Sequence, residues 1–337
     1  MKAAILTELR KPLTVAYVDL PALDVGQVRV QMQYASICGA QLNEIDGAKG
    51  PDKYLPHVLG HEGVGTVLEI GPGVTTKAVG DRVILHWRPS EGINAKGSVY
   101  RLYLATTDES TCWMDVNAGP MACFSEQCIV SENRLTRLPD GIDERVAPLF
   151  GCALTTAYGV VTRDADLKPG QSVLIFGAGG VGLAIVQMAA LVSAYPITVV
   201  DPVRSKLDAA YERGGTPAVT ADGLYDVVVD TTGRSEVIQQ AYAATKPHGR
   251  TILVGVPRHD DPITIHSLPL HFGKVLTGSH GGDSKPHEDI PRIAALARTG
   301  RLNLSGLVTH EYALDDINEA IAMVRSGTAG RVLLRMS

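Results

Sequence analysis

Phenylalanine and cysteine are scarce in this chain, with 4 and 5 residues out of 337. Aromatic residues reach only 5%, so aliphatic side chains must fill the core. An odd number of widely spaced cysteines argues against a disulfide framework and fits a reducing, cytoplasmic setting. No basic run or stripe occurs, and the net charge is 31 − 36 = −5. That excludes a dedicated nucleic-acid partner. No apolar stretch is clean enough for a membrane span. The best, 183–200, contains Gln187, Ser193, Pro196 and Thr198, and it reads as a helix running into a buried strand. At the N-terminus, Glu8, Arg10 and Lys11 interrupt the apolar residues before a signal-peptide core could form.

What is present is the mix of an ordinary globular protein, 45% hydrophobic and 20% charged. The length predicts two domains. Residues 1–145 alternate on a short period, as in TVAYVDL, QVRVQMQYASI, GVGTVLEI, DRVILHW and EQCIVS. This predicts mostly antiparallel β structure with Gly and Pro turns. A helix is predicted after Asp143, through ERVAPLF. From about residue 170 the texture changes to strand, helix, strand: SVLIF, ITVVD, DVVVD, TILVG and KVLTG. Alternation of this kind implies a doubly wound α/β sheet. The tail, DDINEAIAMVRSG then RVLLRM, predicts an amphipathic helix and a strand that return to the first domain.

Gly177, Gly179 and Gly182, with Gly180 and Val181 between the last two, form G-x-G-x-x-G. The motif follows one predicted strand and opens a predicted helix. A second strand then ends in Asp201, 201 − 177 = 24 residues on. In that context the glycines allow a tight turn, a close approach to a pyrophosphate and close helix–sheet packing. A carboxylate at Asp201 would accept hydrogen bonds from ribose hydroxyls and repel a 2′-phosphate, favouring NAD over NADP. Arg204 pulls the other way, since it could cover that phosphate.

Gly60-His61-Glu62 lies in G-H-E-x-x-G-x5-G-x2-V, with Ile37-Cys38-Gly39 upstream and Gly151-Cys152 downstream. Cys38, His61 and Cys152 come from three segments. If they meet, they supply three zinc ligands and leave a fourth position open, the arrangement of a catalytic site. The remaining cysteines, Cys112, Cys123 and Cys128, read as small buried hydrophobes. His57 and His86 read as solvated or hydrogen-bonded core histidines, not ligands.

With these motifs the chain resembles the zinc-dependent medium-chain dehydrogenases/reductases, which include alcohol, polyol and threonine dehydrogenases. The resemblance covers the zinc signature, LKPGQSVLIFGAGGVG and INEAIAMVRSG…GRVLLR. It implies an α/β protein: an N-terminal β-rich, GroES-like catalytic domain, residues 1–150 and 288–337, and a Rossmann doubly wound parallel-sheet domain, residues 151–287. It implies that Cys38, His61 and Cys152 hold one catalytic Zn2+, that Glu62 lies near the metal, that Thr156 and Val181 lie near the nicotinamide of NAD, and that Arg331 contacts the pyrophosphate. It places Ala40, Trp87 and Phe124 at the substrate pocket. It also points to a homodimer or higher homo-oligomer, in which the sheet edge near Lys274–Gly278 would pair with its symmetry mate.

Two features depart from the family pattern. Members commonly carry four clustered cysteines for a structural zinc in the lobe after G-D-x-V. Here that region has Cys112 alone, so no structural zinc is expected and the lobe must be held by ordinary contacts or a partner. Members also read Gly-Ser/Thr-Asp after the zinc cysteine, where this chain has Gly39-Ala40-Gln41. The relay hydroxyl is gone, position 43 is Asn43, and Gln41 is left to orient His61 through its amide oxygen. Glu44 and Glu62 are alternative proton carriers. The polar residues His86, Arg88 and Asn117 near Trp87 point to a hydroxyl-rich or anionic small-molecule substrate, such as a sugar or cyclitol. The reaction expected is hydride transfer between NAD(H) and an alcohol or carbonyl. The alternatives are a lyase or epimerase that uses zinc and tightly bound NAD without net cofactor turnover, or an NAD-binding protein without catalysis.

Overall fold

The computed structural model describes residues 1–105 and 111–336, without the side chains of 104, 105, 111 and 112. The reading of Cys112 as a buried hydrophobe therefore lies outside the described residues. The chain divides into two units. One comprises Met1–Cys152, Lys285–Pro291 and Val308–Ser337, and the other Ala153–Ser284 and Arg292–Leu307. The expectation gave everything from 288 on to the first unit; the second claims 292–307, because Asn303 N–H is held by Gln187 Oε1 at 2.8 Å and Ser305 C=O by Arg213 at 2.7 Å.

The first unit is β-rich. Strands Lys2–Leu6, Thr14–Asp19, Ser98–Ala105, Thr111–Gly119 and His57–Val58 close a barrel. A second sheet is centred on the long strand Gln27–Ile37, which pairs antiparallel with Glu62–Ile70, Gln127–Ser131 and the C-terminal strand Arg331–Arg335. Its alternating pattern supplies Val28, Val30 and Met32 to a shared apolar core with Ile5, Leu85, Phe124 and Leu334. The tail helix Ile317–Arg325 packs on that core through Ile317, Ala320 and Ile321.

The lobe after Arg82–His86 is held by hydrogen bonds. The Glu132 carboxylate accepts from Ile93 N at 2.8 Å and from Thr75 and Thr76 N–H at 2.9 and 2.8 Å. Ser131 Oγ accepts from Ala95 N, and Gln27 donates to Lys96 C=O. One buried carboxylate thus gathers donors from two loops.

The second unit is a six-stranded parallel sheet. Its order is Thr216–Ala218, Ile197–Val200, Val173–Phe176, Tyr225–Asp230, Thr245–Leu253 and Val275–Gly278. Numbered along the chain this is 3-2-1-4-5-6, the order of the dinucleotide-binding fold. The continuous apolar runs in the sequence become strands because both faces are buried: Val173–Phe176 is buried throughout. The short strand Thr216–Ala218 was not predicted. It is an edge strand of three residues with a proline, too brief for a periodic signal.

One predicted element differs. The ERVAPLF segment is a turn followed by a 3-10 helix at Ala147–Gly151, with the α-helix beginning at Ala153. Asp143 Oδ1 does accept a backbone bond, from Arg145 N at 2.8 Å. Pro148, near the start of the 3-10 turn, has no N–H to donate to a continuous α-helix.

Candidate metal centre and nucleotide turn

In the first unit, the ligand atoms of Cys38, His61 and Cys152 lie within 4.8 Å of one another. They are the one such cluster among the described residues. Each is delivered by a local device. Cys38 ends the long central strand at the entry to helix Gly39–Ile45. His61 follows Gly60, whose φ of +100° suits glycine and whose missing side chain leaves room for Phe124, 2.6 Å from where a Cβ would stand. Cys152 follows Gly151, where a Cβ would lie 2.1 Å from Leu85 C=O. That glycine lets the chain lie against strand Arg82–His86 beside Glu62.

The cluster fits a divalent metal with affinity for sulfur and nitrogen. His61 Nε2 is buried with no hydrogen-bond partner, in a cluster whose three ligand atoms lie within 4.8 Å of one another. Cys38 and Cys152 share a hydrogen bond. That bond, with the nearby Arg331 and His61 charges, holds the Cys38 thiol well below its usual value despite burial. The same bond, together with burial, holds Cys152 above it. Burial alone would lower His61; the Cys38 thiolate outweighs it and raises it. With two thiolates, a divalent ion and the Glu62–Arg331 pair, the buried charges cancel: +2 − 2 and −1 + 1. An uncompensated charge there would be costly.

Gln41 is buried, and its side chain bridges two ligands. Its Oε1 accepts from Cys38 N at 3.0 Å, and its Nε2 meets His61 Nδ1. The expectation had the amide oxygen on His61. The structure gives that oxygen to Cys38, whose backbone N–H needs an acceptor at the start of the helix.

Glu62 is fully buried, and burial raises its carboxyl against the pull of Arg331. Arg331 donates to Glu62 Oε1 at 2.9 Å. It reaches the metal cluster because Val332 pairs with Ile37, next to Cys38. The structure thus places Arg331 as the Glu62 counter-ion, a tertiary role that nothing near position 331 in the sequence signals. Burial also drives its guanidinium toward release of the proton, and Glu62 more than offsets that.

A cavity of about 750 Å³ in the same unit reaches His61 and is also lined by Asn43, Glu44, His57 and Asn117. Ala40, Trp87 and Phe124 do not line it. Phe124 is fully buried under Gly60, and Trp87 is half-buried with the Arg88 guanidinium 5.7 Å from its ring. His86 is not at a polar mouth. It is a core residue between Arg88 C=O at 2.8 Å and Thr136 Oγ1 at 3.0 Å, and burial lowers it to about 3. Cys123 and Cys128 are buried free thiols, raised by burial.

In the second unit, the glycine turn joins strand Val173–Phe176 to helix Gly180–Leu191. A Cβ on Gly182 would stand 1.9 Å from Gly177 C=O, so the helix can sit that close only with glycine there. A Cβ on Gly179 would meet nothing within 4 Å. The turn therefore keeps an open face at Gly179, as a pyrophosphate cradle requires. Val181, in the first turn of the helix, is half-buried. Asp201 accepts from Ala178 N and Val203 N, both at 2.8 Å. That uses two of its roughly four acceptor sites and leaves the rest for hydroxyls. Arg204 is exposed and paired with Asp208 at 2.9 Å, so it is turned along its own helix. Thr156 is buried in helix Ala153–Gly159.

Residues 24–140 match the alcohol dehydrogenase GroES-like domain, and residues 180–299 match the zinc-binding dehydrogenase model. The chain is 29% identical to alcohol dehydrogenase 6 of Peromyscus maniculatus, over 99% of this chain and 97% of the relative. It is also 29% identical to an S-(hydroxymethyl)glutathione dehydrogenase of Escherichia coli, over 99% of each. Among solved structures, an alcohol dehydrogenase zinc-binding domain protein from Burkholderia ambifaria superposes with a TM-score of 0.82 at 27% identity, covering 100% of this chain and 98% of that one. An alcohol dehydrogenase from Thermus sp. ATN1 gives 0.80 at 25%, covering 100% of both. No helix among the described residues is long and apolar enough to cross a membrane.

Proposed function

The chain belongs to the zinc-dependent medium-chain dehydrogenases/reductases, and from that premise we propose that it oxidises hydroxyl-rich small alcohols, or reduces the matching carbonyls, with NAD(H). Zinc and NAD are the cofactors of this family. The observation that carries the reading is the convergence of Cys38, His61 and Cys152 with the buried, unpartnered His61 Nε2. These three residues hold a single catalytic zinc, which supplies Lewis acidity toward the substrate oxygen. Gln41 fixes the His61 ring. Arg331 neutralises Glu62, so that no unpaired carboxylate competes inside the site. In the other unit, Gly177, Gly179, Gly180, Val181 and Gly182 cradle the pyrophosphate and Asp201 takes the adenosine ribose. Thr156 serves the nicotinamide.

Polar side chains on the cavity wall with His61, namely Asn43, Glu44 and Asn117, support a hydroxyl-rich substrate. The dehydrogenase names of the relatives favour this over the lyase or epimerase alternative. No structural zinc is expected, because hydrogen bonds to Glu132, Ser131 and Gln27 already hold the lobe. The exposed Leu268 and Phe272 beside the edge strand Val275–Gly278 support a homodimer, and the free cysteines a cytoplasmic setting.

The test is a panel of polyols, cyclitols, sugars and simple alcohols with NAD and with NADP. NADH formation with polyols, and a preference for NAD that narrows in Asp201→Ala, is expected. Faster turnover with NADP at low concentration would overturn the Asp201 assignment. A response confined to simple apolar alcohols would overturn the substrate class.

A further inference from the structure

The cavity that reaches His61 also holds a histidine–carboxylate pair that the zinc site does not use. His57 Nε2 lies 2.9 Å from Asp52 Oδ2, and the two side chains are only 15% and 17% exposed. The pair is built, not incidental. The other Asp52 oxygen accepts from Tyr54 N at 2.8 Å, and Tyr54 C=O in turn accepts from Asn117 Nδ2 at 2.6 Å. His57 itself is fixed in a short strand paired with Leu6 on one side and Asn117 on the other. With the ring proton on Nε2, directed at Asp52, Nδ1 carries a lone pair and has no hydrogen-bond partner among the described residues. Such a pairing fixes the tautomer and steadies the imidazolium that forms when the ring takes a proton.

The chain needs a proton acceptor. Ala40 offers no hydroxyl, Asn43 is no base, Glu62 is committed to Arg331, and among the described residues no hydrogen bond orients the Glu44 carboxylate as Asp52 orients His57. From the shared cavity, the oriented dyad and the missing hydroxyl we infer that His57, positioned by Asp52, is the proton acceptor for alcohol oxidation. This rests on the dehydrogenase reading above. In the step, the substrate O–H bond breaks and its proton passes to His57 Nδ1, directly or through one water. The carbinol C–H bond breaks and its electron pair leaves as hydride to NAD+. The carbonyl forms, and NADH and the imidazolium are the other products. Reduction runs the same path backward, with the imidazolium as donor.

The experiment measures kcat/KM for alcohol oxidation with NAD against pH in wild type, His57→Ala, His57→Gln and Asp52→Asn, with zinc content and NAD affinity measured on each preparation. The charged or titratable side chains sharing the cavity wall with His57 are Glu44, Lys49, Asp52, Lys53, Tyr54, Lys96 and the ligand His61. All of them remain in the His57 variants, so a change between wild type and those variants reports His57. In wild type the rate is expected to rise with pH, because a proton acceptor must be unprotonated to act. Both His57 variants are expected to lose about 10²-fold in kcat/KM at neutral pH, with zinc and NAD binding retained and the acid limb of the profile flattened. Added imidazole should restore part of the rate in His57→Ala and not accelerate wild type. Asp52→Asn should fall between. Wild-type rates with an unchanged pH profile in His57→Gln would overturn the assignment. So would a slow His57→Ala that imidazole does not rescue and whose pH profile keeps its acid limb. A zinc-loaded wild type that forms no NADH with any alcohol would overturn the dehydrogenase reading itself, and the dyad's role with it.

Discussion

The two units build their sites from different materials. The parallel-sheet unit makes its site from backbone: a glycine turn, a helix start and one strand-end carboxylate, all within residues 177–201. The β-rich unit makes its site from buried side chains. Cys38, His61, Glu62, Cys152 and Arg331 come from four places in the chain and are gathered by strand register and two glycines. A backbone site is sensitive to added volume. A buried side-chain site is sensitive to charge and protonation. Substitutions that respect this difference separate the two.

The largest effects are expected in the glycine turn. Gly182→Ala puts a methyl against Gly177 C=O, where 1.9 Å is available. The helix must shift, at a cost on the order of 1–3 kcal/mol, and NAD binding should be lost together with several degrees of melting temperature. Gly179→Ala meets open space, so it should lose NAD binding while the melting temperature stays close to wild type. Calorimetry and NAD titration of both variants check this. Equal destabilisation by the two would erase the distinction between a packing glycine and a cradle glycine.

A second effect, absent at neutral pH and growing as the solution is acidified, is expected in the β-rich unit. His86 is neutral in the fold and held down to about 3 by burial, while an unfolded histidine titrates near 6.5. Its folded pKa is the lower one, so the unfolded chain binds the extra proton. The contribution of His86 is therefore complete above about pH 6.5 and is lost as pH falls toward 3, a span worth a few kcal/mol. Thermal unfolding across that range should show a steep acid limb in wild type and a shallower one in His86→Gln. An identical limb in both would place the acid sensitivity elsewhere.

How much of this was legible in the sequence follows the same division. The nucleotide turn was readable because its parts are local, and the strand–turn–helix context can be checked along 25 residues, 177–201. The parallel strands were readable because burial on both faces leaves unbroken apolar runs such as Val173–Phe176. The zinc ligands were recognisable as a signature, but their meeting depends on register: Arg331 reaches the cluster only because Val332 pairs with Ile37, 332 − 37 = 295 residues away. No local pattern encodes that, so Arg331 was read without its Glu62 partner. Of the two readings of His86, the hydrogen-bonded core histidine agrees with the structure and the polar-mouth residue does not. This histidine ends a buried strand and faces Thr136, a neighbour set by sheet pairing. The His57–Asp52 pair was hidden because four residues, 53–56, separate two residue types that are common on any surface. Only the fold shows that they share a cavity with His61.

The central claim is that Cys38, His61 and Cys152 form one metal site. Elemental analysis of the purified wild type and of Cys38→Ala, prepared side by side, tests it most directly. The account predicts about one zinc per chain in the wild type, with no second equivalent in the lobe, and essentially none in Cys38→Ala, together with loss of NAD-dependent activity. A wild type that is fully active without metal, or a Cys38→Ala protein that keeps its zinc, would contradict it.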